Sequence, residues 1–318
     1  MASEGIKVVF GGAVIGNYEH WQDDNNIKEA FDILEAHGAK TIDSAQLYGE
    51  SEKKLGELKA GDRFTIDTKW LGGWTPGSAT KDNIISTAKE SVEKLGVKQV
   101  DIFYIHAPDK ETPIEDTVAG VNEAYKLGLF KRFGLSNYSA EDVQKAYDAC
   151  KKNGYVLPTA YQGNYSPVTR LQETRLFPTL RKLGIAFYAY SPMAGGFLTK
   201  TAQQIKDGAG RFSEQALGGM YRDMYMKESF LNALAKWEAI ATEEKCSRAE
   251  LAYRWVTFNS PLKKSYGDAI IVGASSKQQL EQTLKGLDNG PLSDKACKGI
   301  DEIWESVKNE APYDNYSR

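Results

Sequence analysis

Short runs of β-branched and aromatic residues recur eight times along this chain, at 7–10, 40–43, 64–69, 100–106, 132–136, 159–162, 185–190 and 269–272. Each is followed by a longer stretch with helical spacing, and strands alternating with helices build parallel sheets whose faces the helices cover. Helices are expected over 25–37, 51–59, 81–95, 115–127, 140–152, 172–183, 228–257 with a break near Ser247, 276–286 and 293–310. With eight such units and no Pro/Gly/Ser-rich linker, residues 1–318 are predicted to form one α/β domain, a (β/α)8 TIM barrel. Ser51 ahead of a helical run, Gly96 and Gly128 behind others, and the capping-box pair Ser276 and Gln279 punctuate the helices. The string Gly11-Gly12-Ala-Val-Ile-Gly16 lacks the spacing of a Rossmann dinucleotide fingerprint. It is expected as the turn of an N-terminal hairpin that plugs the barrel floor or leads into the first strand.

Three of the strands end on side chains that share or move protons. TIDSAQLYGE (41–50) closes a strand on Asp43, with Tyr48 five residues later; FTIDTK ends on Lys69 and VDIFYIH on His106. In a parallel barrel the C-terminal strand ends converge on one face, so these four groups are expected to share one floor. Strand alternation places Asp67 on the face of Lys69, one layer deeper, where a second acid helps to hold the lysine's charge; a local twist turning it outwards is the alternative. Two connections leaving that face, 70–80 and 191–227, exceed what closure needs. They are expected as lids or binding loops, with a disordered excursion as the alternative for the second.

The order Asp43, Tyr48, Lys69, His106, with Ala-Pro after the histidine, resembles the catalytic tetrad of the aldo-keto reductases. The strings RFGLSNYS, PTAYQGNYS, FYAYSPMAGG and IIVGASSKQQLEQTL look like the aflatoxin-aldehyde-reductase branch, and the resemblance runs over nearly the whole chain. It implies NADPH-dependent reduction of aldehydes, and of some ketones or dicarbonyls, with Tyr48 as the acid. A free tyrosine has a pKa near 10. A lysine charge about 4 Å away, at an effective dielectric near 20, is worth roughly 4 kcal/mol or about three pKa units. Lys69 is therefore expected to bring Tyr48 towards neutrality, Asp43 to keep Lys69 charged, and His106 to orient the carbonyl.

The same resemblance implies that Ser136, Asn137 and Gln162 hold the nicotinamide carboxamide, with Tyr190 stacking on the ring beside Ser191. Gly273, Ser275, Ser276 and Gln279 would hold the adenosine phosphates at a helix N-terminus, and Lys277 a 2′-phosphate, which favours NADPH/NADP+ over NADH. The motif continues as Gln282-Thr283 where the family often has Glu-Asn. In GRFSEQALGGMYRDMYMKESF, Met224 and Met226 stand where the branch commonly has a basic residue and tryptophan, leaving Arg222 alone. Trp21, Trp70, Tyr221, Arg222 and Met224 are the expected substrate contacts, in a pocket suited to an uncharged small-molecule carbonyl rather than a carboxylate.

Composition, 41% hydrophobic and 26% charged, is that of a globular protein, and a formal charge of −3 gives no basic face for nucleic acid. Cys150, Cys246 and Cys297 are odd in number and widely spaced, which points to a reducing compartment with neither a disulfide framework nor a metal site. His20 and His37 lack partners at zinc spacing. MASEGIKVVFGG has no signal-peptide pattern and no segment reads as a membrane span, so a cytoplasmic monomer or homodimer is expected. Two other readings are a cofactor-binding regulatory subunit of the potassium-channel β type and an aldolase using Lys69 as a Schiff-base amine. Pairing with Asp43 would keep Lys69 protonated, which argues against the second.

Overall fold

The computed structural model describes residues 5–316. Eight parallel strands close into a barrel in sequence order: β1 (Lys7–Gly11), β2 (Thr41–Asp43), β3 (Thr65–Trp70), β4 (Val100–Ile105), β5 (Phe130–Ser136), β6 (Pro158–Asn164), β7 (Ala186–Tyr190) and β8 (Ala269–Val272). Every predicted strand forms. No hairpin precedes the barrel among the described residues: Lys7 to Phe10 already pair with β8, so β1 is itself a stave. Gly11 ends this strand, and Gly12–Val14 form a 3-10 turn on the side of the strand tips.

The alternation of each strand sorts its side chains into two layers. Val9, Ile102, Tyr104, Ala160, Tyr188 and Ile271 fill the inside of the barrel. Tyr104 fits there because its register partner on β5 is Gly134, where a Cβ would lie 2.3 Å from the tyrosine ring. The outward layer packs on the helices. In α1 (Asp24–Ala36), for example, Ile27, Ala30, Phe31 and Leu34 form one apolar stripe, and burying each large side chain stabilises the fold by about 1.5–3 kcal/mol. Asp23 caps that helix by accepting from Asn26 N at 2.9 Å.

Around the barrel follow α2 (Ser51–Glu57), α3 (Lys81–Lys94), α4 (Ile114–Lys126) and α5 (Ala140–Asn153). Ser51 opens α2 without capping it; its hydroxyl donates to Gly12 O at 2.8 Å. The helix expected over 172–183 divides into α6 (Gln172–Arg175) and α7 (Phe177–Leu183), because Pro178 has no amide hydrogen and its ring clashes with the preceding turn.

The connection 191–227 is folded over the C-terminal face, with α8 (Ala202–Lys206), α9 (Met220–Tyr225) and several 3-10 turns. Phe197, Phe212, Tyr221 and Tyr225 pack ring against ring there, and Phe230 of α10 (Glu228–Glu243) joins them, with centroids 5.4–6.3 Å apart. Gly195, at φ 68°, leaves room for Tyr221, since a Cβ there would lie 2.1 Å from that ring. A break at Lys245 and a cap from Ser247 separate α10 from α11 (Arg248–Arg254). Finally α12 (Lys277–Leu287) and α13 (Asp294–Val307) lead into a tail that returns to the strand tips. No helix among the described residues is long and apolar enough to cross a membrane.

Candidate active site

Asp43 ends β2, Lys69 lies one residue from the end of β3, and His106 follows β4. Inward alternation turns Asp43 and Lys69 to the barrel axis, where Lys69 Nζ sits 2.6 Å from Asp43 Oδ2 with both side chains shut off from solvent. Lys69 also donates to Ser44 O at 2.7 Å. From across the barrel, Gln162 Nε2 donates to the other Asp43 oxygen at 2.9 Å. The ring of Tyr48 lies 4.7 Å from Lys69 Nζ and meets His106 edge to face at 5.6 Å. The four residues read from the strand tips are thus one cluster.

Burial alone would strip the proton from Lys69, but Asp43 and Tyr48 hold its pKa above the ordinary lysine value. Burial pushes the Asp43 carboxyl up, against the pull of Lys69 and Gln162. The proton of this pair stays on the nitrogen, which makes Lys69 a poor nucleophile and disfavours Schiff-base chemistry. Tyr48 differs from expectation: burial raises its pKa above 10, and Lys69 opposes that rise without overcoming it. His106 is held well below its usual pKa by burial and by Lys69, so its imidazole is neutral, and its Nδ1 has no hydrogen-bond partner.

Asn17 fixes the backbone around Tyr48, a contact that nothing in its sequence neighbourhood signals. Its Nδ2 reaches Tyr48 O at 2.8 Å and Ile15 O at 3.0 Å, while its Oδ1 accepts from Glu50 N at 3.2 Å. Asp109 anchors the 70–80 loop in the same manner, accepting from Gly77 N, Ala79 N, Glu111 N and the Thr112 hydroxyl. That loop lays Trp74 edge-on to His106 at 4.9 Å.

At the tips of β5 to β7 the residues expected to hold a nicotinamide do converge. Asn137 takes the left-handed conformation at φ 59° and donates to His106 O at 2.8 Å; Tyr190 donates to Asn137 Oδ1 at 2.7 Å. Ser191 is also left-handed, at φ 55°. Two such non-glycine residues, at the tips of the strands on either side of β6, store strain of the kind found at functional sites. Ser136 lies beside Asn137 Nδ2, and the Tyr190 ring is only half-buried. The C-terminal tail closes over this region: Asn315 N donates to Tyr190 Oη at 3.2 Å, and the Tyr316 ring meets Trp74 at 5.2 Å.

Beyond β8, a Cβ at Gly273 would meet nothing within 4 Å, so open space lies there. Ser276 caps α12 at Gln279 N, and Gln279 Oε1 accepts from the Ser275 amide and hydroxyl. Lys277 is already engaged, its ammonium with Glu29 and its amide with His20 Nε2. Lys200 and Arg211, absent from the sequence reading, form a second cationic group: burial and the nearby Arg211 lower the Lys200 pKa, and Arg211 stacks on Tyr221 at 5.7 Å.

The expected substrate contacts divide. Trp21 and Trp70 are wholly buried. Trp70 adjoins Lys69 and so points the other way, into the helix layer; Trp21 donates its indole N–H to Ala274 O. Met224 is 4% exposed and packs in the core, and Arg222 pairs with Glu214 at 3.8 Å. Only Tyr221 reaches towards the site, its hydroxyl 3.3 Å from Ser191 Oγ. The missed neighbours are Asn315 and Tyr316 of the tail.

A family model described as "Aldo/keto reductase family" matches residues 7–305. The chain is 39% identical over 288 residues to "Oxidoreductase sirO" of Leptosphaeria maculans, covering 90% of this chain and 87% of that one. It is 39% identical over 302 residues to "Aflatoxin B1 aldehyde reductase member 2" of Homo sapiens, covering 88% and 82%. To "Aldo-keto reductase pigE" of Monascus ruber it is 29% identical over 312 residues, covering 89% and 88%.

Proposed function

The chain belongs to the aldo/keto reductase family, and we propose that it reduces aldehydes to alcohols with hydride from NADPH and the proton from Tyr48. It is an oxidoreductase acting on small carbonyl compounds; the nucleotide, the acid and the substrate class are the finer points of this reading. The observation that carries it is the buried Lys69–Asp43 pair, 2.6 Å apart, beneath the ring of Tyr48.

NADPH, when bound, supplies the hydride. Tyr190, half-buried, is the ring that would stack on the nicotinamide, and Ser136, Asn137 and Gln162 are the groups that would hold the carboxamide. Lys200 and Arg211, two cations close enough to repel each other, would take phosphate charge along with the start of α12. His106, neutral and facing Tyr48, donates a hydrogen bond to the carbonyl oxygen and places it beside the acid. Tyr48 remains protonated at neutral pH, so the donor is always loaded. The developing alkoxide is a far stronger base than a phenolate, so transfer from even a raised tyrosine is downhill. Lys69 then stabilises the phenolate left behind.

The rim offers Tyr18, Leu47 and Trp74 as exposed apolar surface, which supports an uncharged aromatic or dicarbonyl aldehyde as substrate. The test is loss of NADPH absorbance over a panel of aldehydes and ketones. Saturable, substrate-dependent oxidation supports the reading, whereas tight NADPH binding without turnover on any member would replace it with a regulatory binding role.

A further inference from the structure

Asp67 has no part in the chemistry described so far, yet it lies inside the barrel on the face of Lys69, fully buried. Its Oδ1 accepts a single hydrogen bond, from Ile102 N at 3.0 Å, and its Oδ2 has no partner. The hydroxyl of Tyr104, whose ring lies 6.0 Å from Lys69 Nζ, is likewise buried and unpartnered. A carboxylate left one hydrogen bond short in such a place is costly, whereas a carboxylic acid is not.

The charges around Asp67 point the same way. Asp43 on β2 and Asp101 on β4 repel a further negative charge, and Tyr104 on β4 and Tyr188 on β7 offer none of opposite sign. Of the cations, Lys69 is committed to Asp43, and Arg132 on β5 is committed to Asp101 at 2.6 Å. That leaves Lys7 of β1, at the floor of the barrel and exposed, as the cation that steadies the charged form. Burial, with Asp43 and Asp101 adding to it, pushes the Asp67 carboxyl up to about 7.

We propose that Asp67 is a positioning residue of the reaction: a buried, exchangeable proton one layer beneath Lys69, whose presence or absence sets how readily Tyr48 gives up its own proton. With Asp67 protonated, Lys69 acts on Tyr48 opposed only by Asp43, and the phenolate forms more easily. With Asp67 ionised, a second negative charge stands beside Asp43, its register partner on β2, and Tyr48 holds its proton more firmly. The two protons are thus linked, each making the other harder to lose once it has gone. This inference rests on Tyr48 being the acid.

The experiment is the pH profile of alcohol oxidation at saturating NADP+, in which Tyr48 must act as its phenolate. In Asp67→Asn, which keeps the shape but removes the charge, the rise of the profile should move to lower pH by about 0.3 to 1 unit. Thermal stability gives an independent reading. A carboxyl raised in the fold costs stability as pH climbs from its unfolded value towards 7, so Asp67→Asn should gain on the parent between pH 5 and pH 8. Should the variant fail to fold, infrared spectra of the parent with 13C-labelled aspartate should show a protonated carboxyl at pH 6 that is lost by pH 8. An unshifted profile in Asp67→Asn, or a parent with no such carboxyl, overturns the inference. The reading of Tyr48 fails separately, if Tyr48→Phe retains turnover.

Discussion

Lys69 and Asp43 meet at 2.6 Å inside the barrel, with neither side chain open to solvent. An ion pair so placed is a costly way to gain stability but an effective way to keep a lysine charged where burial would neutralise it. Replacing Lys69 with methionine should leave the phenolate of Tyr48 without support. Turnover should fall by about two to four orders of magnitude, and the rise of alcohol oxidation with pH should move upwards, because removing a positive charge raises the tyrosine pKa. A Lys69→Met enzyme with parental turnover and profile would show that the pair is only structural.

Asn17 should matter to rate and not to cofactor binding. Its side chain fixes the backbone of Tyr48 at 2.8 Å from outside the cluster. Asn17→Ala should lower kcat by about tenfold to a hundredfold, as misplacement of a reacting group does. NADPH affinity, read by fluorescence titration, should stay within about twofold; a loss confined to affinity would contradict this role.

Met224 offers a stability prediction. An arginine there would replace an apolar side chain that is 4% exposed and surrounded by core residues. Met224→Arg should therefore destabilise the fold by at least about 2 kcal/mol, seen as a lower Tm, instead of creating a carboxylate site. An unchanged Tm with a lower KM for succinic semialdehyde would place this side chain in the pocket after all.

Phosphate recognition should rest more on the 191–227 connection than on the first turn of α12, since Lys277 is already paired with Glu29. Lys200→Met and Arg211→Ala should each weaken NADPH binding by roughly five- to a hundredfold, and Lys277→Ala by less. Equal, small losses in all three, measured by calorimetry, would exclude a phosphate site at Lys200 and Arg211.

The strands and the cluster at their tips were legible because period-two runs and proton-bearing ends are local signals. The inward face of Asp67 was legible for the same reason. Trp70 was misjudged although the same alternation, counted one residue past Lys69, turns it outwards. Trp21, Met224 and the N-terminal glycines depended on tertiary packing: an aromatic or thioether side chain in a loop reads alike whether it lines a cavity or fills a core. The tail carries no periodic pattern, so the meeting of Asn315 with Tyr190, 125 residues apart, left no trace in the sequence. The acidity of Tyr48 was misread because charge can be located from sequence order whereas burial cannot, and at this residue burial prevails.

The central claim is that Tyr48 delivers the proton, and the direct measurement is steady-state reduction of 4-nitrobenzaldehyde by Tyr48→Phe alongside its NADPH dissociation constant. The phenyl ring keeps the packing against His106 and removes only the hydroxyl. In this variant kcat should fall by about two to four orders of magnitude with NADPH affinity essentially unchanged. A Tyr48→Phe enzyme that turns over at the parental rate would contradict it.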